Sequence, residues 1–490
     1  MFLELLHLVL VSLISFFGIH RLLLLVEARF AAPSPHTDQI RDPDGVTRVL
    51  IQIPVYRDCE VALRCIRSID QLDWPVDQLQ IQVLDDSDDG SEKTIARGVE
   101  EAARKGLDIV HIHRSDRSGF KAGALAAGLL RSEAQLVAIF DADFTVPRDF
   151  LKSTVHLFED SRVGMVQTRW GFRNREVSLL TRAQARLLDG HFRIEHRARA
   201  AAGRFFNFNG TAGIWRRAAI DDAGGWSGET VVEDMELSLR AWRRGWKFCY
   251  LDHVICESDL PDNFGALRTQ QRRWVAGGMQ VLSRQIHEFG RERIVERLDL
   301  LAILGGSLVA PLLVLLTFVS PLLWWQRSNW ISSPEYGPFP ATTMPAVDLC
   351  FFLAATVSIA LFYLSTDRAR QRSRWLEIWG LMILGLGLAL HISRSVFAGL
   401  RGQVTVFERT PKDPQATGFR RASGAEKLYL VYLLVVLLSG TLWSGIASIP
   451  LVAMMTVGLM WSLADPSHSR VARQTAQESR DELAQFTLDP

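Results

Sequence analysis

Apolar residues are concentrated at the two ends of the chain, and this division constrains the fold most strongly. Residues 1–26 and 298–463 are rich in apolar side chains, whereas residues 45–295 have the mixed composition of a water-soluble domain. A helix needs about 20 apolar residues to cross about 30 Å of hydrocarbon. We therefore predict a soluble domain, 45–290, between an N-terminal membrane helix and a C-terminal membrane region, 291–464.

The membrane region also predicts a topology. Basic residues cluster at 368–374 and 401–427, and short basic loops face the cytoplasm. Both loops can do so only if 375–398 does not cross, so we predict an interfacial or re-entrant helix there. The soluble domain and the polar tail, 465–490, then lie on the cytoplasmic side of a multi-pass inner (cell) membrane protein. The candidate spans, about five in number, are 1–26, 298–325, 347–364 and two within 428–463.

Other bulk features narrow the class of protein. A cleaved signal peptide is the alternative interpretation of residues 1–26. The net charge of +1 disfavours a nucleic-acid-binding protein, which would usually be basic. The five cysteines form no C-x-x-C pair and are expected to be free thiols in a reducing compartment. Few charges interrupt the apolar stretches, which argues against a transporter without enzymatic activity.

The soluble domain has the pattern of an α/β fold. Short β-rich runs at 49–54, 79–84, 109–113 and 136–140 alternate with helical patterns, including 59–72 and 122–130. Such alternation predicts a parallel sheet with helices on both faces. Ligands of open α/β sheets bind beyond the carboxyl ends of the strands, and two acidic clusters follow strands directly.

The first acidic cluster spans residues 85–90 and begins with Asp85 and Asp86. Acidic side chains at a strand end can bind ribose hydroxyls or base N–H groups. A solvated acidic turn is the alternative interpretation.

The second cluster is Asp141-Ala-Asp143, after the apolar run 136–140. Two carboxylates at this spacing can share Mg²⁺ or Mn²⁺, which would neutralise charge on a leaving diphosphate. The D-x-D pattern is common, and its position after a strand is what makes it informative.

Two further motifs complete the candidate site. Glu233 and Asp234 begin an amphipathic run, where they could supply a general base or only favour the helix N-terminus. Gln270, Arg273 and Trp274 share one helix face. The arginine could stabilise a diphosphate leaving group and the tryptophan could stack on a sugar, or the pair could lie at the membrane interface. Taken in order, the four motifs describe an inverting sugar transfer with one base.

These motifs resemble those of membrane-embedded members of glycosyltransferase family two, which include cellulose synthases and cellulose-synthase-like A mannan synthases. The resemblance covers roughly residues 45–290 and extends toward 415. The segments that carry it are IPVYRD (53–58), LDDSDDG (84–90), HRSDRSGFKAGAL (113–125), FDADF (140–144), FNGTAGIWRR (208–217), VVED (231–234), QQRRW (270–274) and FERTPK (407–412).

The resemblance implies a GT-A (Rossmann-like) domain inserted between membrane helices, with roles for individual residues. It places Asp85, Asp86, Lys121 and Asp141 at the nucleotide-sugar donor, and it makes Asp234 the base, next to Glu233 and Arg273. The implied acceptor residues are Asn209, Gly210, Thr211, Gln270 and Trp274. The implied gating-like loop, 401–427, contains Phe407, Thr410 and Lys412.

The expected function is a metal-dependent, inverting and processive β-glycosyltransferase. It would use UDP-glucose or GDP-mannose, extend a β-glycan and extrude it across the membrane. The alternative is a non-processive enzyme with a membrane lipid acceptor, such as a diacylglycerol. The motifs bind phosphate and metal, so they leave both the sugar and the acceptor open.

Overall fold

The computed structural model describes residues 2–31, 47–288, 292–331, 339–366, 374–403, 423–440 and 449–464. A long apolar helix, α1, precedes a soluble α/β domain that ends in helix α10, and further apolar helices follow. The strands are β1 Val49–Val55, β2 Leu79–Asp85, β3 Ile109–His113, β4 Leu136–Ile139, β5 Val163–Phe172, β6 Gly213–Arg216 and β7 Lys247–Ser258.

The helices are numbered in chain order. They are α1 Phe2–Phe30, α2 Cys59–Ile69, α3 Glu92–Arg104, α4 Phe120–Leu129, α5 Phe150–Thr154, α6 Leu179–Gly190, α7 Arg197–Ala201, α8 Arg217–Asp222, α9 Glu233–Arg243, α10 Phe264–Gln285, α11 Ile294–Gly305, α12 Val309–Ile331, α13 Phe339–Leu364, α14 Arg374–Gly387, α15 Ala389–Leu400, α16 Gly424–Gly440 and α17 Ile449–Leu463. A π-helix, His191–His196, joins α6 to α7.

The seven strands form one mixed sheet in the order β3-β2-β1-β4-β6-β5-β7. β1 to β4 are parallel, as predicted, and so are β5 and β7. β6 is antiparallel to both β4 and β5, so the prediction of a wholly parallel sheet was wrong. Gly210 and Ala212 have positive φ just before β6 and turn the chain, so β6 enters the sheet beside Ile139, at the carboxyl end of β4.

The sheet is buried on both faces by apolar side chains. One cluster packs α2 and α3 against β1 to β4, with Ile51, Ile81 and Ile95 fully or almost fully buried. A second cluster on the other face includes Leu125 and Trp215. Strands covered on both faces have continuous apolar runs, which is why four of them could be identified from sequence.

Among the described residues, two helices are long and apolar enough to span a membrane, Phe2–Phe30 and Ile294–Arg327. α14 and α15 form an apolar pair bent by 52°, a geometry found in broken spans and in re-entrant segments. Leu349–Leu364 and Ile449–Leu463 are apolar but shorter. The count of about five spans and the non-crossing segment at 375–398 therefore stay predictions.

Buried ion pairs fasten the soluble domain to the apolar helices. Arg186 on α6 bonds Glu377 on α14, and both side chains are fully buried. On α1, His20 Nε2 lies 2.7 Å from Asp299 Oδ1 of α11, and Arg21 lies 3.6 Å from Glu195 of the π-helix. The position of the sheet relative to the apolar helices is thus held by specific ion pairs.

Candidate active site

Asp85 and Asp86 lie at the carboxyl end of β2, as predicted, and both carboxylates are buried against partners of their own. His111 Nε2 lies 2.9 Å from Asp85 Oδ2, and the Ser87 amide donates to Asp85 Oδ1 at 2.9 Å. Burial alone would raise the pKa of Asp85, but these hydrogen bonds hold it below its ordinary value. Arg114 donates two bonds to Asp86, at 2.8 and 2.6 Å. Direct donor contact by the two acids stays a prediction.

Lys121 lies between the D-x-D motif and the loop that contains Gly210. Its Nζ donates to Asp141 Oδ1 at 2.6 Å and to the Gly210 carbonyl at 2.8 Å. Burial alone would lower the pKa of the Lys121 ammonium group. The nearby carboxylates of Asp141 and Glu233 outweigh this effect and raise the pKa, so Lys121 stays protonated. One ammonium group therefore joins the predicted metal motif to the predicted acceptor loop.

Gly210 permits close packing against Asp234. Its φ is +81°, and a Cβ at this position would lie 2.8 Å from Asp234 Oδ2 and 3.4 Å from Lys121 Nζ. A larger residue at this position would have a strained backbone and would force the Asp234 carboxylate to move. The structure thus brings Gly210, Lys121 and Asp234 together as the sequence predicts.

Glu233 and Asp234 form the first residues of α9, with Glu233 buried and Asp234 half-buried. The Met235 amide donates to Asp234 Oδ1 at 2.8 Å. Burial and the adjacent Asp234 carboxylate raise the pKa of Glu233 to about 7. Burial also raises the pKa of Asp234, against the opposing charge of Lys121. A carboxylate pair with raised pKa values is suited to accept a proton near neutral pH.

Helix α10 brings Arg273 to the same cleft. The Asn263 side chain caps this helix by accepting from the Ala266 amide at 2.9 Å. Burial lowers the pKa of Arg273, while the carboxylates of Glu233 and Asp141 act in the opposite direction. Gln270 and Trp274 lie on the same helix and are half-buried, so the predicted shared face exists.

Asn209 and Thr211 hold the acceptor loop in place. The Asp141 amide donates to the Thr211 hydroxyl at 2.8 Å, and Thr211 is fully buried. Asn209 Oδ1 lies 2.9 Å from His191 Nε2, and its Nδ2 lies 2.9 Å from His196 Nε2. Both histidines belong to the π-helix, an irregularity often found at functional sites. Contact of these side chains with an acceptor stays a prediction.

Asp141 and Asp143 fit a divalent cation only in part. Among the residues that the structure describes, no cluster of three or more His, Cys, Asp or Glu side chains is arranged to hold a metal. Mg²⁺ is commonly held by one or two carboxylates together with substrate phosphates. Asp141 and Asp143 could therefore supply two of the oxygen ligands of a divalent cation, and a bound diphosphate would supply others.

Several supporting residues were missed by the sequence interpretation. Arg114 and His111 hold the first acidic cluster, and Ser258 and Arg173 contact the D-x-D loop. Arg114 directly follows β3, and Asp86 directly follows the neighbouring strand β2. The two strand ends lie side by side, so the sequence did contain a signal that Arg114 could contact Asp86. Ser258 offered none, since its neighbour is 115 residues away. The gating-loop residues Phe407, Thr410 and Lys412 lie outside the described residues.

Comparison with known proteins agrees with this geometry. Residues 136–364 match the family described as "Glycosyl transferase family group 2". Glucomannan 4-beta-mannosyltransferase 1 of Oryza sativa subsp. japonica is 42% identical over 268 residues, which cover 54% of this chain and 51% of the relative. Glucomannan 4-beta-mannosyltransferase 2 of Arabidopsis thaliana is 42% identical over 274 residues, or 55% and 51% of the two chains. The chain spans about half the length of these curated relatives.

The fold is also shared with a solved structure. The mannosyltransferase PcManGT from Pyrobaculum calidifontis, in complex with GDP-Man and Mn²⁺, superposes with a TM-score of 0.52. The two are 21% identical, and the match covers 72% of this chain and 98% of PcManGT. At this identity the likeness concerns the fold alone. The chain therefore carries a glycosyltransferase family 2 domain with a GT-A-like mixed α/β sheet.

Proposed function

We propose that the protein is an inverting hexosyltransferase that adds mannosyl units from a nucleoside-diphosphate mannose to a growing β-glycan. The observation that carries this proposal is the meeting of Lys121, Asp141 and Asp234 around Gly210. The names of the curated relatives, which are 42% identical over 268 and 274 residues, favour mannosyl over glucosyl transfer.

The cations of the cleft suit the donor end of the reaction. Lys121 and Arg273 would contact the diphosphate and offset the negative charge that grows as the sugar leaves. Asp141 and Asp143 would hold a divalent cation, which when bound supplies further neutralisation of the diphosphate.

The acidic pair suits the acceptor end. An acceptor hydroxyl oxygen attacks the anomeric carbon as the carbon–oxygen bond to the diphosphate breaks, and its proton passes to the Asp234 carboxylate. Burial raises the pKa of Asp234, and burial together with the Asp234 carboxylate raises the pKa of Glu233. One base without a covalent enzyme intermediate inverts the anomeric centre, so an α-linked donor yields a β-glycoside.

The junction with the apolar helices supports a membrane enzyme. α10 carries Arg273 and Trp274 and is followed by the apolar stretch Ile294–Arg327. On its other side, the buried Arg268 pairs with Glu426 of α16 at 3.3 Å. We extend the proposal to a processive enzyme of the inner membrane, with its catalytic domain in the cytoplasm, that extrudes its product.

The test is sugar incorporation by the full chain in inverted membrane vesicles. Radiolabelled GDP-mannose and UDP-glucose are supplied separately with Mg²⁺ or Mn²⁺, and products are separated into polymer and extractable lipid. We expect mannose in the polymer, with Asp234→Asn lowering the rate ~10²–10⁴-fold. Asp77→Asn is the matched control, because Asp77 is exposed and precedes the amino end of β2.

The remaining outcomes would contradict the proposal in different ways. Label from UDP-glucose alone would make the enzyme a glucosyltransferase. Label in the lipid fraction alone would rule out a glycan acceptor. An equal loss of activity in Asp77→Asn and Asp234→Asn would remove the assignment of Asp234 as the base.

A further inference from the structure

The D-x-D loop is held by residues from outside the motif, and Ser258 makes the most direct contact. This serine is the last residue of β7, and it is almost fully buried. Its hydroxyl donates to Asp143 Oδ2 at 2.8 Å. This hydrogen bond favours one orientation of the Asp143 carboxylate about its side-chain bonds.

The backbone beside this contact is paired as well. The Thr145 amide donates to the Glu257 carbonyl at 2.8 Å, and the Glu257 amide donates back to the Thr145 carbonyl at 3.3 Å. This antiparallel bridge joins the chain just after the D-x-D motif to the end of β7. The Ser258 hydroxyl is therefore delivered to Asp143 by strand pairing.

Arg173, the residue after β5, fixes the same loop from the other side. Its guanidinium donates to the Asp143 carbonyl at 3.1 Å and to the Thr145 hydroxyl at 2.7 Å. It also forms two bonds to Asp259, at 3.2 and 2.6 Å. The planar fork of an arginine allows this simultaneous contact, which a lysine could not reproduce.

Asp259 is in turn shared between two arginines. Arg64 of α2 lies 3.2 Å from Asp259 Oδ2, the oxygen that Arg173 also contacts. The aspartate thus connects α2, the end of β5 and the D-x-D loop. Of the residues assigned above to the donor and the metal, these contacts involve only the metal candidate Asp143.

We propose that Ser258 and Arg173 are positioning residues that orient Asp143 toward the divalent cation. The proposal rests on the proposed function, since it requires a cation at Asp141 and Asp143. Residues that orient metal ligands contribute to metal affinity even though they do not touch the ion, and their loss typically costs about 10- to 100-fold in affinity or activity.

The test measures Mn²⁺ binding to the full chain in lipid nanodiscs with GDP present. The EPR signal of free Mn²⁺ reports how much of the ion remains unbound. We expect Ser258→Ala to weaken Mn²⁺ binding about tenfold, with kcat recovering to within about twofold of the wild type at saturating Mn²⁺. Ser393→Ala is the matched control. Ser393 is equally buried, and its hydroxyl bonds a carbonyl within α15.

A second variant keeps the proposal testable if Ser258→Ala does not fold. Arg173→Lys keeps the charge but loses the fork, and we expect it to weaken Mn²⁺ binding as well. If the wild type binds Mn²⁺ and either folded variant binds it as tightly, the positioning proposal alone is wrong. An equal loss in Ser393→Ala would also overturn it. If the wild type with GDP binds no Mn²⁺, the metal-dependent part of the proposed function fails first.

Discussion

Two groups of charged side chains in this protein, both partly buried, differ in how their charges are balanced. The cleft cluster consists of Lys121, Asp141, Asp143, Glu233, Asp234 and Arg273. The anchoring cluster, between the soluble domain and the first apolar helices, consists of His20, Arg21, Glu27, Glu195, Arg199, Arg204 and Asp299. In the anchoring cluster, Glu195 faces Arg21 at 3.6 Å and Arg199 at 3.3 Å, and Arg204 faces Asp299 at 2.6 Å.

The ratio of carboxylates to cations in each cluster decides whether the pKa values of its carboxylates are raised or lowered. In the anchoring cluster, burial opposes ionisation of Glu195, but His191, Arg199 and Arg21 lower its pKa below the ordinary value. In the cleft cluster, carboxylates outnumber cations, and the pKa values of Glu233 and Asp234 rise. Matched charges give a structural contact, whereas unmatched charges give groups that can exchange protons under working conditions.

The largest expected effect is a loss of activity in Gly210→Ala, which would disturb the cleft cluster alone. The new Cβ would meet Asp234 Oδ2 at 2.8 Å and displace the base, so kcat should fall on the order of 10²-fold. Steady-state transfer kinetics measure the loss. Gly203→Ala is the control, since Gly203 also has positive φ, +63°, but a Cβ there would have no atom within 4 Å. A similar fall in both variants would attribute the effect to backbone strain.

Breaking the anchoring cluster should affect stability before chemistry. Glu195→Gln removes the carboxylate that lies 3.6 Å from Arg21 and leaves Arg199 facing the more distant Asp299, at 3.8 Å, which we expect to cost about 3 kcal/mol in the free energy of unfolding. Thermal unfolding in detergent, with kcat of the folded fraction, separates the two effects. Glu229→Gln removes an exposed ion pair with Arg284 and should cost at most about 1 kcal/mol. An unchanged midpoint for Glu195→Gln would show that this cluster does not anchor the domain.

The smallest expected effect is the pH dependence of activity and of stability. Measuring kcat/KM and the unfolding midpoint over the same pH range compares the two clusters directly. The base, Asp234, must be deprotonated, and burial raises its pKa, so kcat/KM should fall up to about tenfold per pH unit once pH drops below that raised pKa. Glu195 has a lowered pKa, so its stabilising contribution is present above its unfolded pKa and is lost only as pH falls through the lower folded pKa. Activity should therefore decline between pH 7 and the ordinary pKa range of an aspartate, while the unfolding midpoint loses nothing through Glu195 above the unfolded pKa of that glutamate. A flat kcat/KM profile across this range would contradict the raised pKa values.

Much of the soluble domain could be predicted because buried strands leave a direct pattern in sequence. The four predicted strands agree with β1 to β4 to within one residue at each end. Acidic residues after β2 and β4 were placed correctly at one edge of the sheet, since parallel strands end on the same side. α9 and α10 carry the other two motifs, as their periodicity predicted.

Other features depended on contacts between distant segments. The antiparallel β6 follows from a turn at Gly210 and Ala212 whose direction has no periodic pattern. Ser258 contacts Asp143 only because β7 pairs with the chain after the D-x-D motif. The apolar stretches predicted helices at 428–463, and α16 and α17 are found there, but their crossing of a membrane stays a prediction.

The sequence by itself determined the division into apolar helices and an α/β domain, the first strands and the identity of the acidic motifs. These features depend on local periodicity and composition, which act over a few neighbouring residues. Only the tertiary structure decided which charges meet. It joined Lys121 to Asp141 and Gly210, and Glu195 to Arg21, across separations that no local pattern encodes. Because the pKa of a buried carboxylate depends on its spatial neighbours and its burial, the chemistry of each acid was decided at that level.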